Sequence, residues 1–409
     1  MPSHNNIWLH RYAVLTALAT LGLLCIGGLV TSHGAGMAVP DWPTSYGYGM
    51  FFLPIKFWTG GAFYEHTHRL WASTVGLLVV GLTRWLGGRK SRGPLALIGV
   101  FEIVAGLAML WMKPELKGVG HFLAGIGGVV LLAAVVWVRN EPAPGLLPRL
   151  GWTAFWLVQF QGLLGGLRVV WFADQLGIFH ATLAQLFFVL VVCLALFTSR
   201  RWMAWSAAGA EKDIPGLRLL AVTASILILG QLAIGAAMRH QHAGLAIPDF
   251  PLAYGKIWPA MDDESVSLYN QQRIEVLAAR PITAFQIGLQ MVHRITALVI
   301  FLVVAALAWR AHRRLAGGSP LRNLAWTWFG LILLQVGLGA ATIWTNKAAD
   351  VATAHVLVGA LSLAVGVLWC IIAFRRFASL EAQETADLTV GSPGGTAFGS
   401  SPATITGNL

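Results

Sequence analysis

The chain has 409 residues and a formal charge of +11, is 56% hydrophobic and only 11% charged, and has a mean hydropathy of +0.68. It lacks the polar surface to cover a water-soluble globule, which excludes a soluble enzyme or binding module and makes a bilayer its solvent. The basic residues stand singly or in small groups between apolar runs rather than in a stripe, so they exclude nucleic acid as a partner and read as topology signals.

Apolar runs of about 20 residues, the length that spans a hydrocarbon core, recur along the chain. They predict an all-α integral membrane protein with about ten transmembrane helices over 11–32, 68–87, 94–112, 119–138, 151–170, 178–199, 217–238, 284–310, 323–344 and 352–374. The first run follows His10 and Arg11 and is too long for the apolar region of a signal peptide, so it reads as a retained helix. Long outer loops are expected at roughly 33–67 and 239–283. Arg84, Arg89, Lys90, Arg92, Arg139, Arg149, Arg200, Arg201, Lys212, Arg218, Arg310, Arg313, Arg314, Arg322, Arg375 and Arg376 all fall on the side of the termini. The positive-inside rule then puts both termini in the cytoplasm and the protein in the cytoplasmic membrane. Cys25, Cys193 and Cys370 lie inside apolar helices, offering neither a disulfide framework nor a zinc motif. The tail over 377–409, rich in Ser, Gly, Thr and Ala, is expected to be disordered.

The two outer loops are copies. Gly36-Met-Ala-Val-Pro-Asp-Trp-Pro-Thr-Ser-Tyr-Gly47 matches Gly244-Leu-Ala-Ile-Pro-Asp-Phe-Pro-Leu-Ala-Tyr-Gly255 at a constant offset of 208. Ile26-Gly27-Gly28 likewise meets Ile234-Gly235-Ala236, and Glu65-His66-Thr67-His68-Arg69 meets Gln290-Met291-Val292-His293-Arg294. Gln161-Gly-Leu-Leu-Gly165 resembles Gln335-Val-Gly-Leu-Gly339, and each precedes a histidine, His180 or His355. The chain therefore reads as two duplicated four-helix bundles in parallel orientation, over 11–200 and 217–374, with the pair 94–138 inserted in the first.

Ionisable groups against a bilayer are costly and face a bundle interior with a partner. His68, His180, His293 and His355 meet that test, each opening a helix that enters from the outer side, so topology puts them at similar depth. Two in each half can offer imidazoles to one iron from opposite sides, as bis-histidine haem ligation requires. Against this stand interfacial snorkelling, other metals and a proton relay. His121 also opens an outer-entering helix and competes with His180, but has no duplicate. His33, His66, His240 and His242 are expected to be solvated, and His4, His10 and His312 to face the cytoplasm. Gly27, Gly28, Gly162, Gly165, Gly166, Gly235, Gly337 and Gly339 would give a flat cofactor clearance, or equally allow tight helix packing. Arg69, Arg294, Arg168 and Arg239 are candidates to pair with haem propionates, with interfacial anchoring as the alternative.

The halves differ in charge, since Glu65 stands three residues before His68 where the neutral Gln290 stands before His293. That pattern suits one half doing chemistry while the other holds a permanent cofactor. A glutamate that merely caps its helix is the alternative.

Taken together, the loop motif at 36–43, Glu-x-x-His-Arg at 65–69, Gln-Gly-Leu-Leu-Gly-Gly-Leu-Arg at 161–168 and Met-Val-His-Arg at 291–294 resemble the heme A synthase family over about residues 12–374. The resemblance implies oxidation of the C8 methyl group of heme O to a formyl group through a hydroxylated intermediate, giving the heme A of cytochrome c oxidases. It further implies haem b between His293 and His355, substrate heme O between His68 and His180, and Glu65 as the catalytic carboxylate. A heme O synthase and an unidentified electron acceptor are the partners it suggests. Many bacterial relatives have eight helices and cysteine pairs in the outer loops, neither of which is expected here. Two rival readings are a diheme cytochrome passing electrons from quinol and a haem-free transporter.

Overall fold

The computed structural model describes residues 6–112, 117–136, 140–207, 214–272 and 281–390. Ten long helices carry them: α1 (Ile7–Ser32), α2 (Gly60–Gly87), α3 (Arg92–Met112), α4 (Lys117–Val136), α5 (Leu147–Trp171), α6 (Asp174–Phe197), α8 (Leu217–His240), α10 (Ala284–Arg314), α11 (Pro320–Trp344) and α12 (Ala349–Val390). Two short helices, α7 (Arg200–Ala207) and α9 (Asp263–Gln272), lie between them. Among the described residues, eight segments are long and apolar enough to cross a membrane. One of these segments joins α2 to α3, and α5, which carries Gln159, Gln161 and Arg168, is not among them. The protein is an all-α membrane protein.

Local chemistry sets the ends of the helices. The Asn6 side chain accepts the N–H groups of Trp8 and Leu9 at the start of α1, and Thr283 with Gln286 forms a capping box on α10. Pro320 follows the Ser319 cap of α11, where its missing N–H leaves no partner wanting. Gly88 ends α2 at φ 54°, and a Cβ there would lie 2.4 Å from the Pro142 backbone nitrogen.

Helices α1, α2, α5 and α6 pack in a closed ring, and α8, α10, α11 and α12 pack in a second. The rings meet where α1 touches α12, α6 touches α8, and α6 touches α12. The first contains a core of Val75, Val79, Leu82, Leu86, Ala154 and Leu194; the second is built around Trp328, Trp369, Leu307 and Phe377. The inserted hairpin α3–α4 packs on small residues, since a Cβ at Gly99 would lie 2.7 Å from the Gly127 carbonyl and one at Gly106 2.6 Å from that of Gly120. Its other face meets Val80 and Phe155 of the first ring.

Two expectations need correcting. Helix α2 starts at Gly60 rather than 68, because Glu65, His66 and Arg69 are buried under the outer loop and continue the helix beyond its apolar run. Helix α12 runs to Val390, so 377–390 is helical where disorder was expected; Ala, Leu, Glu and Gln dominate there and favour helix. The rest of that tail, 391–409, lies outside the described residues. Cys25, Cys193 and Cys370 are unpaired.

Candidate haem site

Both outer loops are clamped by the same hydrogen bonds. The Asp41 carboxylate accepts the N–H groups of Tyr46 at 2.6 Å and Gly47 at 2.8 Å, and Asp249 accepts those of Tyr254 at 2.7 Å and Gly255 at 2.8 Å. Tyr46 and Tyr254 both take φ 53°, and their hydroxyls donate back to the carbonyls of Ala38 and Ala246. Burial pushes the Asp41 carboxyl up, but hydrogen bonds from Thr44, Gly47 and Tyr46 outweigh it and hold the group below the ordinary carboxylate range.

These loops roof a cavity of about 1490 Å³ reached by His68, His180, His293 and His355. Ordinary ligand pockets hold roughly 300–1,000 Å³, so the space exceeds what one small molecule needs. The four histidines do not open their helices as expected; each lies roughly two turns inside. All four Nδ1 atoms are buried without a hydrogen-bond partner. Each ring is backed by a glycine of the neighbouring helix: a Cβ would lie 3.1 Å from Cε1 of His68 at Gly27, 3.3 Å from that of His180 at Gly165, 3.6 Å from that of His293 at Gly235 and 3.2 Å from that of His355 at Gly339. These glycines therefore seat the imidazoles, a tighter role than general cofactor clearance.

The rings of His293 and His355 face each other with centroids 6.4 Å apart and planes at 58°. Two metal–imidazole bonds of about 2 Å each put ring centres roughly 6 Å apart, so the pair fits one iron between two imidazoles. Apolar walls and two neutral nitrogen donors suit a haem better than a bare divalent cation, which would attract carboxylates.

His121 lines the same cavity, but it is exposed and its Nδ1 donates to the Lys117 carbonyl at 2.8 Å, within its own helix. It has neither the glycine seat nor the unpartnered Nδ1 of His180. His66, expected to be solvated, is 1% exposed; Ser45 lies 3.3 Å from its Nδ1 and Trp58 packs edge-on against its ring. His240 lines the cavity as well, close enough to Gly177 that a Cβ there would lie 2.2 Å from its Cε1. His33, by contrast, is exposed and stacks on Tyr64.

Glu65 is 4% exposed and borders the cavity. One oxygen accepts the Val39 N–H at 2.8 Å and the other the Arg69 guanidinium at 2.6 Å. Gln290 accepts the equivalent Ile247 N–H at 2.7 Å. Its amide nitrogen donates to the Gly244 and Ile247 carbonyls at 3.3 and 3.4 Å. The same loop is thus held by an ion pair in one half and an amide in the other.

The arginines expected at propionates divide into two kinds. Arg69 donates to the carbonyls of Asp41, Thr44 and Val39, and Arg294 to those of Leu252 and Asp249, so their amino groups are committed to the loops. Arg168 and Arg239 also border the cavity; Arg239 binds across the halves to the Gly28 carbonyl and the Ser32 hydroxyl.

Three further groups stand near the site, of which Gln161 opens a repeated motif while Gln231 and Glu102 belong to none of the motifs. Gln161 and Gln231 donate to the carbonyls of His180 and His293 at 3.1 and 2.8 Å, steadying those turns. Glu102, 5% exposed in the middle of α3, has an unpartnered Oε2 and lies against Gln159 of the cavity wall. A carboxylate inside an apolar run is itself a sequence signal of a buried partner or a functional site.

The sequence profile of the family described as "COX15-CtaA: Cytochrome oxidase assembly protein" matches residues 120–367, well over half of the chain. The chain belongs to the COX15-CtaA family of cytochrome oxidase assembly proteins. Among COX15-CtaA-like relatives, it is 31% identical over 257 residues to the heme A synthase of Rhodospirillum centenum, covering 61% of this chain and 64% of that protein. The heme A synthase of Symbiobacterium thermophilum is 27% identical over 241 residues, 56% of this chain and 70% of that protein. That of Lysinibacillus sphaericus is 24% identical over 374 residues, 89% of this chain and 94% of that protein. These names agree with the resemblance read from the loop and histidine motifs.

Proposed function

We propose that the protein is a heme A synthase that oxidises the C8 methyl group of heme O to a formyl group through a hydroxylated intermediate. The observation that carries this reading is a duplicated pair of glycine-seated histidines on one cavity whose two halves differ in charge at Glu65 and Gln290. His293 and His355 would hold haem b, and His68 and His180 would hold the substrate heme O. Haem b, when bound, supplies an iron that accepts electrons and passes them on. The conversion of methyl to formyl removes four electrons and four protons when water supplies the oxygen atom. The Glu65 carboxylate, paired with Arg69 at the cavity wall, would stabilise positive charge developing at the oxidised carbon. Gln290 holds its loop equally well and offers no such charge. Arg168 and Arg239, which border the cavity, would pair with the propionates.

The protein sits in the cytoplasmic membrane with both termini inside, as the basic residues argue. It receives heme O from a heme O synthase and delivers electrons to an acceptor. The test is expression beside a heme O synthase, followed by chromatography of the extracted haems. Heme A is expected; heme O accumulating without it, in protein that holds both haems, would overturn the reading.

A further inference from the structure

On the α2 side the cavity runs further than on the matching α10 side of the second half, while on the other three helix pairs its lining ends at matched positions, Thr20 and Ile228, Val158 and Ile332, Phe187 and Ser362. Along α10 its lining ends at Phe301, eight residues past His293, or about 12 Å at 1.5 Å per residue. Along α2 it continues to Val80, twelve residues past His68, or about 18 Å. The register that aligns His68 with His293 places Gly76 where the second half has Phe301. Phe301 packs against Phe329 at 5.7 Å between centroids and ends the lining along α10. The counterpart of Phe329 is Phe155, which is fully buried among Val80, Leu95, Val130 and Ala134. Val336 likewise has Gly162 as its counterpart, and the ring of Phe122 fills in over that glycine.

The result is a branch of the cavity between α2, α5 and the inserted α4, lined by Gly76, Val80, Phe122, Gly125, Val129 and Val158. Nothing lies within 4 Å of where a side chain would begin at Gly76 or Gly125. Those six side chains are apolar or absent, so this stretch of wall suits a hydrocarbon, with the Gln159 amide beside Val158 as a polar neighbour. Its second wall exists only because α3–α4 is inserted in this half.

We infer that the branch receives a linear hydrocarbon chain carried by the haem of the first half, while Phe301 restricts the second half to a haem without one. This rests on the proposed haem reading and deepens it, since heme O differs from haem b by such an isoprenoid chain. The inserted hairpin α3–α4 is then a substrate-specificity element, and Gly76 and Phe301 are the residues that sort the two haems.

The test uses the full chain made beside a heme O synthase, with the haems extracted and identified. Gly76→Phe copies Phe301 of the second half and Gly125→Leu fills the opposite wall. Each should lower chain-bearing haem per protein roughly tenfold, by overpacking, while haem b stays at the wild-type level. Reconstitution with protohaem, which has no chain, should still fill the first half of both variants; a merely structural role for these glycines would reduce both haems together. Wild-type retention of chain-bearing haem by either variant, or loss of haem b by both, overturns the inference. A His68→Ala control separates the readings: if it leaves the chain-bearing haem in place, the proposed haem assignment itself fails.

Discussion

The two halves share one scaffold and two kinds of clamp. In the first, the outer loop is fastened by the Glu65–Arg69 ion pair, 2.6 Å long and buried; in the second, the amide of Gln290 reaches the same two backbone positions without charge. Breaking a buried ion pair by removing one partner is strongly destabilising, whereas a neutral amide serves as well for holding a loop. Fastening alone therefore does not explain a glutamate at 65. What the first half gains is a carboxylate at the cavity wall, paired with Arg69, where the second half has an amide; in the proposed function that is the difference between the reacting half and the half that holds a cofactor.

The largest expected effects come from the histidines. His293→Ala or His355→Ala should abolish haem b binding, and with it heme A formation, whereas His68→Ala or His180→Ala should abolish heme A formation and leave haem b in place. Absorbance spectra and extracted haems of the purified variants check this. Equal loss of both haems in all four variants would erase the distinction between the halves.

Next come the loop clamps. Asp41→Ala and Asp249→Ala each remove the acceptor of two backbone N–H groups, one part-buried and one exposed, which costs about 1 kcal/mol and lowers the thermal midpoint by a similar amount in both. The functional consequences should diverge, with Asp41→Ala reducing heme A formation and Asp249→Ala loosening haem b. Because the Asp41 carboxyl is held below its ordinary range, its contribution is complete above the unfolded value of about 3.9 and fades as pH falls further through the folded value. Limited proteolysis of the first loop should thus be unchanged from pH 7 down to about 4.5 and rise below pH 4.

The smallest effects test the glycine seats. A methyl at Gly27 would lie 3.1 Å from the His68 ring, tighter than ordinary contact, whereas one at Gly235 would lie 3.6 Å from His293. Gly27→Ala should therefore lower first-half haem retention several-fold, at a cost of about 1 kcal/mol, while Gly235→Ala leaves haem b unchanged. Haem titration measures both.

Much of this contrast is legible in the sequence because apolar runs, loop copies and paired histidines are local patterns. Other features depend on the third dimension. Helix α2 starts eight residues before its apolar run, and Glu65, His66 and Arg69 look like loop residues until a folded loop buries them. Arg69 and Arg294 looked available beside their histidines, yet their donors end on loop carbonyls that are distant in sequence. Nothing in the spacing of Gly27 and His68 shows that one makes room for the other; only the packing of α1 on α2 does.

In the proposed division one half reacts and the other holds a resident haem, with Glu65 making the difference. Its most direct test is the Glu65→Gln variant, since Gln290 shows that an amide can hold this loop. Purified from cells that supply heme O, the variant should keep haem b and bound heme O while heme A falls at least about a hundredfold. Heme A at the wild-type level in that variant would contradict the account.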